Sequence, residues 1–137
     1  MSLVAEVLKA KTKDLRSCGL SERKCEYISD LARRFADGHV HEHRWPQMSD
    51  EEIIEDLTQV RGIGRWTAEM FLMFNLLRPD VFPLGDLGLQ KGIRVNYFKG
   101  RKISPGRMRK LGETWRPWRS VATWYLWRSL DPLPVEY

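Results

Sequence analysis

The residues best placed to do chemistry are two glycines and one acid. Gly62 and Gly64 lie in the run Val60-Arg61-Gly62-Ile63-Gly64-Arg65-Trp66-Thr67-Ala68, and Asp86 follows Gly64 by 22 positions (86 − 64). Glycine adopts positive φ without penalty and, having no Cβ, lets backbone N–H groups come close to a ligand. The same N–H groups open a helix, whose dipole draws anions to its start, so the bend suits a phosphate. Taken alone, Gly62-Ile63-Gly64 reads sooner as a helix C-cap followed by a turn. Asp86 stands where a helix N-cap belongs, ahead of Leu87, Leu89 and Ile93, and a capping aspartate is its plain reading. The lead-in Val81-Phe82-Pro83-Leu84-Gly85 adds something: an apolar, constrained approach fixes the carboxylate beside a helix start that keeps it ionised.

Helices must hold these groups. Ser49 or Asp50 caps the first flank of the bend, acids fill its opening turn, and Ile53, Ile54 and Leu57 share a face. Met70, Phe71, Phe74 and Leu77 recur at helical period in the second flank, giving a hairpin over about residues 49–77. Upstream, residues 4–16 read as one helix with Val4, Leu8 and Leu15 apolar. Gly19 stops it, Ser21 caps the next, and residues 22–37 place Cys25, Ile28, Leu31, Ala32 and Phe35 on one side. His39, His41 and His43 have no Cys or Asp partner at ligand spacing and read as a polar linker, with Trp45-Pro46 plugging a gap beneath it. Arg78-Pro79-Asp80 is a turn, and residues 94–106 are loop-like. Ser104 and Pro105 open a helix near 105–113. A last helix starts in Trp115-Arg116-Pro117-Trp118-Arg119-Ser120 and runs to about Leu130. Val121, Trp124 and Trp127 share a face on it, and Trp118 and Trp124 are assigned to the core. No strand pattern persists, so the expected fold class is all-α.

At 137 residues the chain suits one domain, and 42% hydrophobic with 30% charged residues describes a soluble globular protein. No apolar run has the length of a membrane span, there is no signal peptide, and Ser2 is not a myristoylation glycine. Cys18 and Cys25 are expected reduced and buried in a cytoplasmic protein, or a nuclear one in a eukaryote. Two cysteines cannot hold an iron–sulfur cluster. Charge is lopsided. Residues 1–60 carry 9 basic and 12 acidic side chains, whereas Gln90 to Arg128 carry 11 basic residues against Glu113 alone. Interleaved with Trp115, Trp118, Trp124 and Trp127, that bias suits a polyanion. A membrane surface would instead want one amphipathic basic helix, and these charges are spread over several elements.

Three stretches in order carry a resemblance: Leu15 to Lys24, the hairpin run with Asp86, and Trp115-Arg116-Pro117-Trp118-Arg119-Ser120-Val121-Ala122-Thr123-Trp124-Tyr125-Leu126-Trp127. Together they resemble the 3-methyladenine DNA glycosylase II family of the helix-hairpin-helix DNA glycosylase superfamily. The resemblance implies base-excision repair: hydrolysis of the N-glycosidic bond of alkylated purines in duplex DNA after the damaged nucleotide is flipped out. It gives Asp86 the catalytic role, Trp66 and Trp127 the base pocket, and Gly62, Gly64, Arg65 and Thr67 the DNA phosphate. Lyase-type relatives carry a lysine at the place of Trp66, so a monofunctional enzyme without a Schiff base follows. No cofactor is required, and a Na+ or K+ ion at the hairpin would sit on the backbone carbonyls of Thr58, Val60 and Ile63. Charge alone adds Arg61, Lys91, Arg116 and Arg119 as phosphate contacts. The family's domain begins with helices ahead of Leu15 that this chain lacks. The expectation is therefore a partial glycosylase fold with exposed apolar surface, completed by a dimer partner or an upstream fragment. The alternative is a non-catalytic helix-hairpin-helix module that binds DNA.

Overall fold

Side-chain caps set where the helices begin. Ser2, Ser21, Ser49, Asp86 and Ser104 each accept a hydrogen bond from a backbone N–H three residues on, satisfying a donor that the first helical turn leaves open. The computed structural model describes residues 2–131 as helices and connecting turns. They group into two compact units divided after Ala68. In the first, α1 (Leu3–Lys9) and α2 (Thr12–Ser17) pack against α3 (Glu22–Ala36). A 3₁₀ helix (Glu42–Gln47), α4 (Asp50–Thr58) and the start of α5 (Arg65–Phe74) follow. The second holds the end of α5, then α6 (Leu87–Tyr97), α7 (Pro105–Glu113) and α8 (Arg119–Arg128), with α6 packed on α8. Among the described residues no helix is long and apolar enough to cross a membrane.

In the first unit Cys25, Ala32, Val40, Trp45, Ile53, Ile54, Leu57, Val60 and Ala68 form the buried apolar set. The single helix expected over 4–16 is two. Ala10 and Lys11 turn extended, and each short piece then packs on α3, so tertiary contact overrides local propensity. Cys18 is exposed rather than buried because it lies beyond the end of α2, and it makes no disulfide with buried Cys25. The histidine segment is more than a linker. Asp56, only 4% exposed, accepts from the His41 backbone N–H at 2.8 Å and the Trp45 indole N–H at 3.0 Å, and it bonds His41 Nδ1 at 2.8 Å. Burial works against the Asp56 charge, but these bonds outweigh it and hold the carboxyl below the ordinary range.

In the second unit Leu89, Ile93, Met108 and Leu126 make the core, with Phe82, Leu84, Phe98 and Trp115 packed around it. Two tryptophan assignments fail here. Trp118 is 60% and Trp124 42% exposed, and α8 buries Thr123 and Leu126 instead. The helix begins at Arg119, inside the expected stretch, which leaves Trp115 off the helix and against Phe82, with ring centres 6.2 Å apart. Residues 94–97 continue α6 rather than forming loop. Leu77 leaves α5 in a left-handed turn (φ 54) and is exposed.

The turn after α5 is tied to the start of α8. Arg119 donates from Nε to Asp80 Oδ1 at 2.8 Å and from Nη2 to Oδ2 at 3.1 Å, and Arg116 reaches Oδ2 at 3.2 Å and Glu113 at 2.6 Å. Ser120 Oγ donates to Arg78 O and accepts from Val81 N–H. Of the two arginines expected on charge as phosphate contacts, Arg119 is held within the protein and only 14% exposed, whereas Arg116 keeps half of its side chain exposed. Burial disfavours the Asp80 charge, yet the bonds from Arg119 prevail and its carboxyl titrates below the usual carboxylate range. A depressed native pKa stabilises the fold above the unfolded value of about 3.9 and ceases to do so as pH falls through the native one. Asp80→Asn should accordingly cost about 2 kcal/mol at pH 7, the scale of hydrogen bonds to a charged group. Paired urea titrations should show that gap closing below about pH 4, the same scale of carboxylate titration. A gap independent of pH would dismiss the ion pair as its source.

Candidate functional site

The bend between α4 and α5 is built by short backbone bonds. Val60 N–H donates to Leu57 O and Ile63 N–H to Val60 O, both at 3.1 Å, and Ala68 N–H to Gly64 O starts α5. Of the two glycines only Gly62 takes a positive φ, at 91°. A Cβ at Gly62 would also run into the ring of Tyr27 on α3, whereas one at Gly64 would meet nothing within 4 Å. The protein's own packing thus demands glycine at 62 and makes no demand at 64. Asp30 on α3 accepts from the Arg61 backbone N–H at 2.9 Å, and this bond is the main reason its carboxyl titrates low. The two arginines of the bend are in exposed ion pairs, Arg61 with Glu26 at 3.2 Å and Arg65 with Glu51 at 3.0 Å. Such pairs contribute little and exchange readily for another anion. Trp66 and Thr67 stand exposed on the first turn of α5, Trp66 at 52%. Thr58 turns its hydroxyl back onto Ile54 O at 2.7 Å.

In the second unit the acid sits as expected. Asp86 caps α6, its Oδ2 accepting from Leu89 N–H at 2.8 Å, and its own N–H donates to Pro83 O at 2.8 Å. Buried Pro83, together with Gln90 Nε2 bonding Leu84 O at 2.7 Å, pins the lead-in. The indole N–H of Trp127 donates to the same Oδ2 at 2.7 Å. Sequence reasoning had named Asp86 and Trp127 separately; their direct bond was not readable, since 41 residues part them. Two further neighbours were missed. Phe74 stacks on Trp127, with centroids 6.0 Å apart and planes 12° apart, and Gly88 lies against both Asp86 and Trp127. Lys91 is exposed on α6. Among the described residues no group of three His, Cys, Asp or Glu could hold a metal.

The glycine bend between two helices defines the class, a helix–hairpin–helix protein. The chain belongs to the HhH-GPD superfamily: residues 2–117 match the family described as HhH-GPD superfamily base excision DNA repair protein. A Bacillus subtilis protein provisionally named DNA-3-methyladenine glycosylase is 41% identical over 119 residues, 87% of this chain and 42% of that protein. The solved Schizosaccharomyces pombe 3-methyladenine DNA glycosylase in complex with abasic DNA is 34% identical with a TM-score of 0.80, over 96% of this chain and 66% of that one. A Bacillus halodurans DNA-3-methyladenine glycosidase crystal structure, also 34% identical, gives 0.89 over 96% and 61%. The chain spans about half the length of the curated relatives it matches.

Proposed function

We infer that this chain carries the hydrolytic centre of a monofunctional glycosylase that frees alkylated purines, of the 3-methyladenine and 7-methylguanine type, from duplex DNA. The observation that carries the reading is Asp86 held by two donors, a helix-start N–H and the Trp127 indole, both at less than 3 Å. An N3- or N7-alkylated purine is already cationic. When its bond to C1′ breaks, the electron pair leaves with the base, which departs neutral and needs no acid. Positive charge passes to the sugar. The Asp86 carboxylate opposes that charge and directs a water, whose oxygen bonds C1′ while its proton passes to the carboxylate and then to solvent. Trp127 offers an electron-rich face to the cationic base, worth about 0.5–2 kcal/mol. With an indole at position 66 there is no amine to attack the sugar, and the strand is left with an intact abasic site.

The hairpin serves as the grip. Gly64, where no packing forbids a side chain, is the point of close backbone approach to a phosphate, beside Gly62, Arg65 and Thr67. A carbonyl oxygen has two lone pairs, so Val60 O can accept from Ile63 N–H and still ligate a monovalent cation together with the carbonyls of Thr58 and Ile63. The protein would work wherever the cell keeps its DNA. Incubating the 137-residue chain with duplex bearing methylated purines should release free methylated bases and leave strands that break only on later alkali treatment. No released base, or immediate nicking, would reject the assignment.

A further inference from the structure

Trp127 reaches Asp86 through a gap that a residue without a side chain leaves open. A Cβ on Gly88 would stand 3.2 Å from Asp86 Oδ2 and 3.2 Å from both Cδ1 and Nε1 of Trp127. That is tighter than the usual 3.5–4.0 Å between carbon atoms, so the indole or the carboxylate would have to shift. The backbone gives no reason for glycine here, because Gly88 is within α6 and outside the positive-φ set. Gly88 stands in the first turn of α6, directly after Leu87, where helix propensity does not favour glycine over alanine. The feature that accounts for it is the indole–carboxylate contact. The indole also lies nearly parallel to Phe74, a ring that stays 57% exposed. So large an exposed ring does little for the core, and its stacking contact is with Trp127.

We propose that Gly88 and Phe74 are positioning residues that hold the Trp127 indole N–H on the Asp86 carboxylate, Gly88 by leaving the space and Phe74 by fixing the ring plane. The consequence for turnover rests on the glycosylase reading above, whereas the contact itself is observable without any reaction. In the ¹⁵N-labelled chain the Trp127 indole resonance is the one lost in Trp127→Phe. Gly88→Ala and Phe74→Leu should displace that resonance and speed its exchange with deuterated water at least tenfold, and Phe74→Tyr should restore it. Gly88→Ala should melt close to the parent, since the backbone there suits alanine. On alkylated duplex its kcat should fall about tenfold with KM within twofold. An indole signal unmoved in both variants overturns the proposal, and so does a change in Gly88→Ala that merely follows a fall in melting temperature. If the parent chain frees no base, the glycosylase reading fails, and the indole resonance still decides the positioning.

Discussion

Asp86→Asn should lower base release about a thousandfold while duplex affinity and melting temperature stay near those of the parent. Asparagine caps a helix as well as aspartate does, and its carbonyl oxygen can accept from Leu89 N–H and from the Trp127 indole in the geometry Oδ2 now has. The substitution therefore removes the charge and keeps both of these bonds. A unit charge about 4 Å from the sugar cation is worth about 4 kcal/mol at intermediate dielectric. At 1.36 kcal/mol per decade that is close to three decades in rate. Asp86→Ala makes the contrast: it should lose activity and also about 1 kcal/mol of stability with the cap. Single-turnover release from methylated duplex, paired with an equilibrium binding titration, separates the two. An Asp86→Asn chain within tenfold of the parent would transfer the chemistry to another group. A pure DNA clamp would bind alike in both forms and release nothing in either.

Local signals in the sequence carried most of the scaffold. Ser49 with Glu52 forms the reciprocal capping box that places α4, and Ser104 with Pro105 starts α7 where expected. What failed depended on long-range contact. Trp118 and Trp124 sit at plausible core spacing, but a helix starting at Arg119 turns Thr123 and Leu126 inward instead. Basic residues looked alike as phosphate ligands until Asp80, 39 positions away, proved to hold Arg119. Asp56 did carry a signal: an acid between Ile53 and Leu57 on the apolar face of α4 has to find buried donors, and His41 and Trp45 supply them. The Asp86 pair was half legible. Residue type and spacing marked the acid, while the indole that grips it and the glycine that makes room belong to the fold.

The two hairpin glycines should fail in opposite ways. Gly62→Ala forces a β-carbon into a backbone with φ near 91°, costing roughly 1–2 kcal/mol, and drives that carbon into the Tyr27 ring. Overpacking against a ring that cannot yield adds about 1–3 kcal/mol. A total near 3 kcal/mol lowers the melting temperature by about 10 °C in a chain of this size. Duplex affinity should drop with it, because the bend that offers the N–H groups is displaced. Gly62→Ala combined with Tyr27→Ala should regain the steric share and keep the backbone share, leaving a coupling of about 1–3 kcal/mol in the double-mutant cycle. At Gly64 neither penalty exists: φ is not positive and a Cβ meets no protein atom within 4 Å. Gly64→Ala should melt like the parent and still lose about tenfold in duplex affinity, since the added carbon occupies the space a phosphate needs. Melting curves and binding titrations of the three variants decide the matter together. A Gly64→Ala chain that binds DNA as well as the parent would move the phosphate away from the bend, and an unperturbed Gly62→Ala chain would deny that Tyr27 and the left-handed turn shape it.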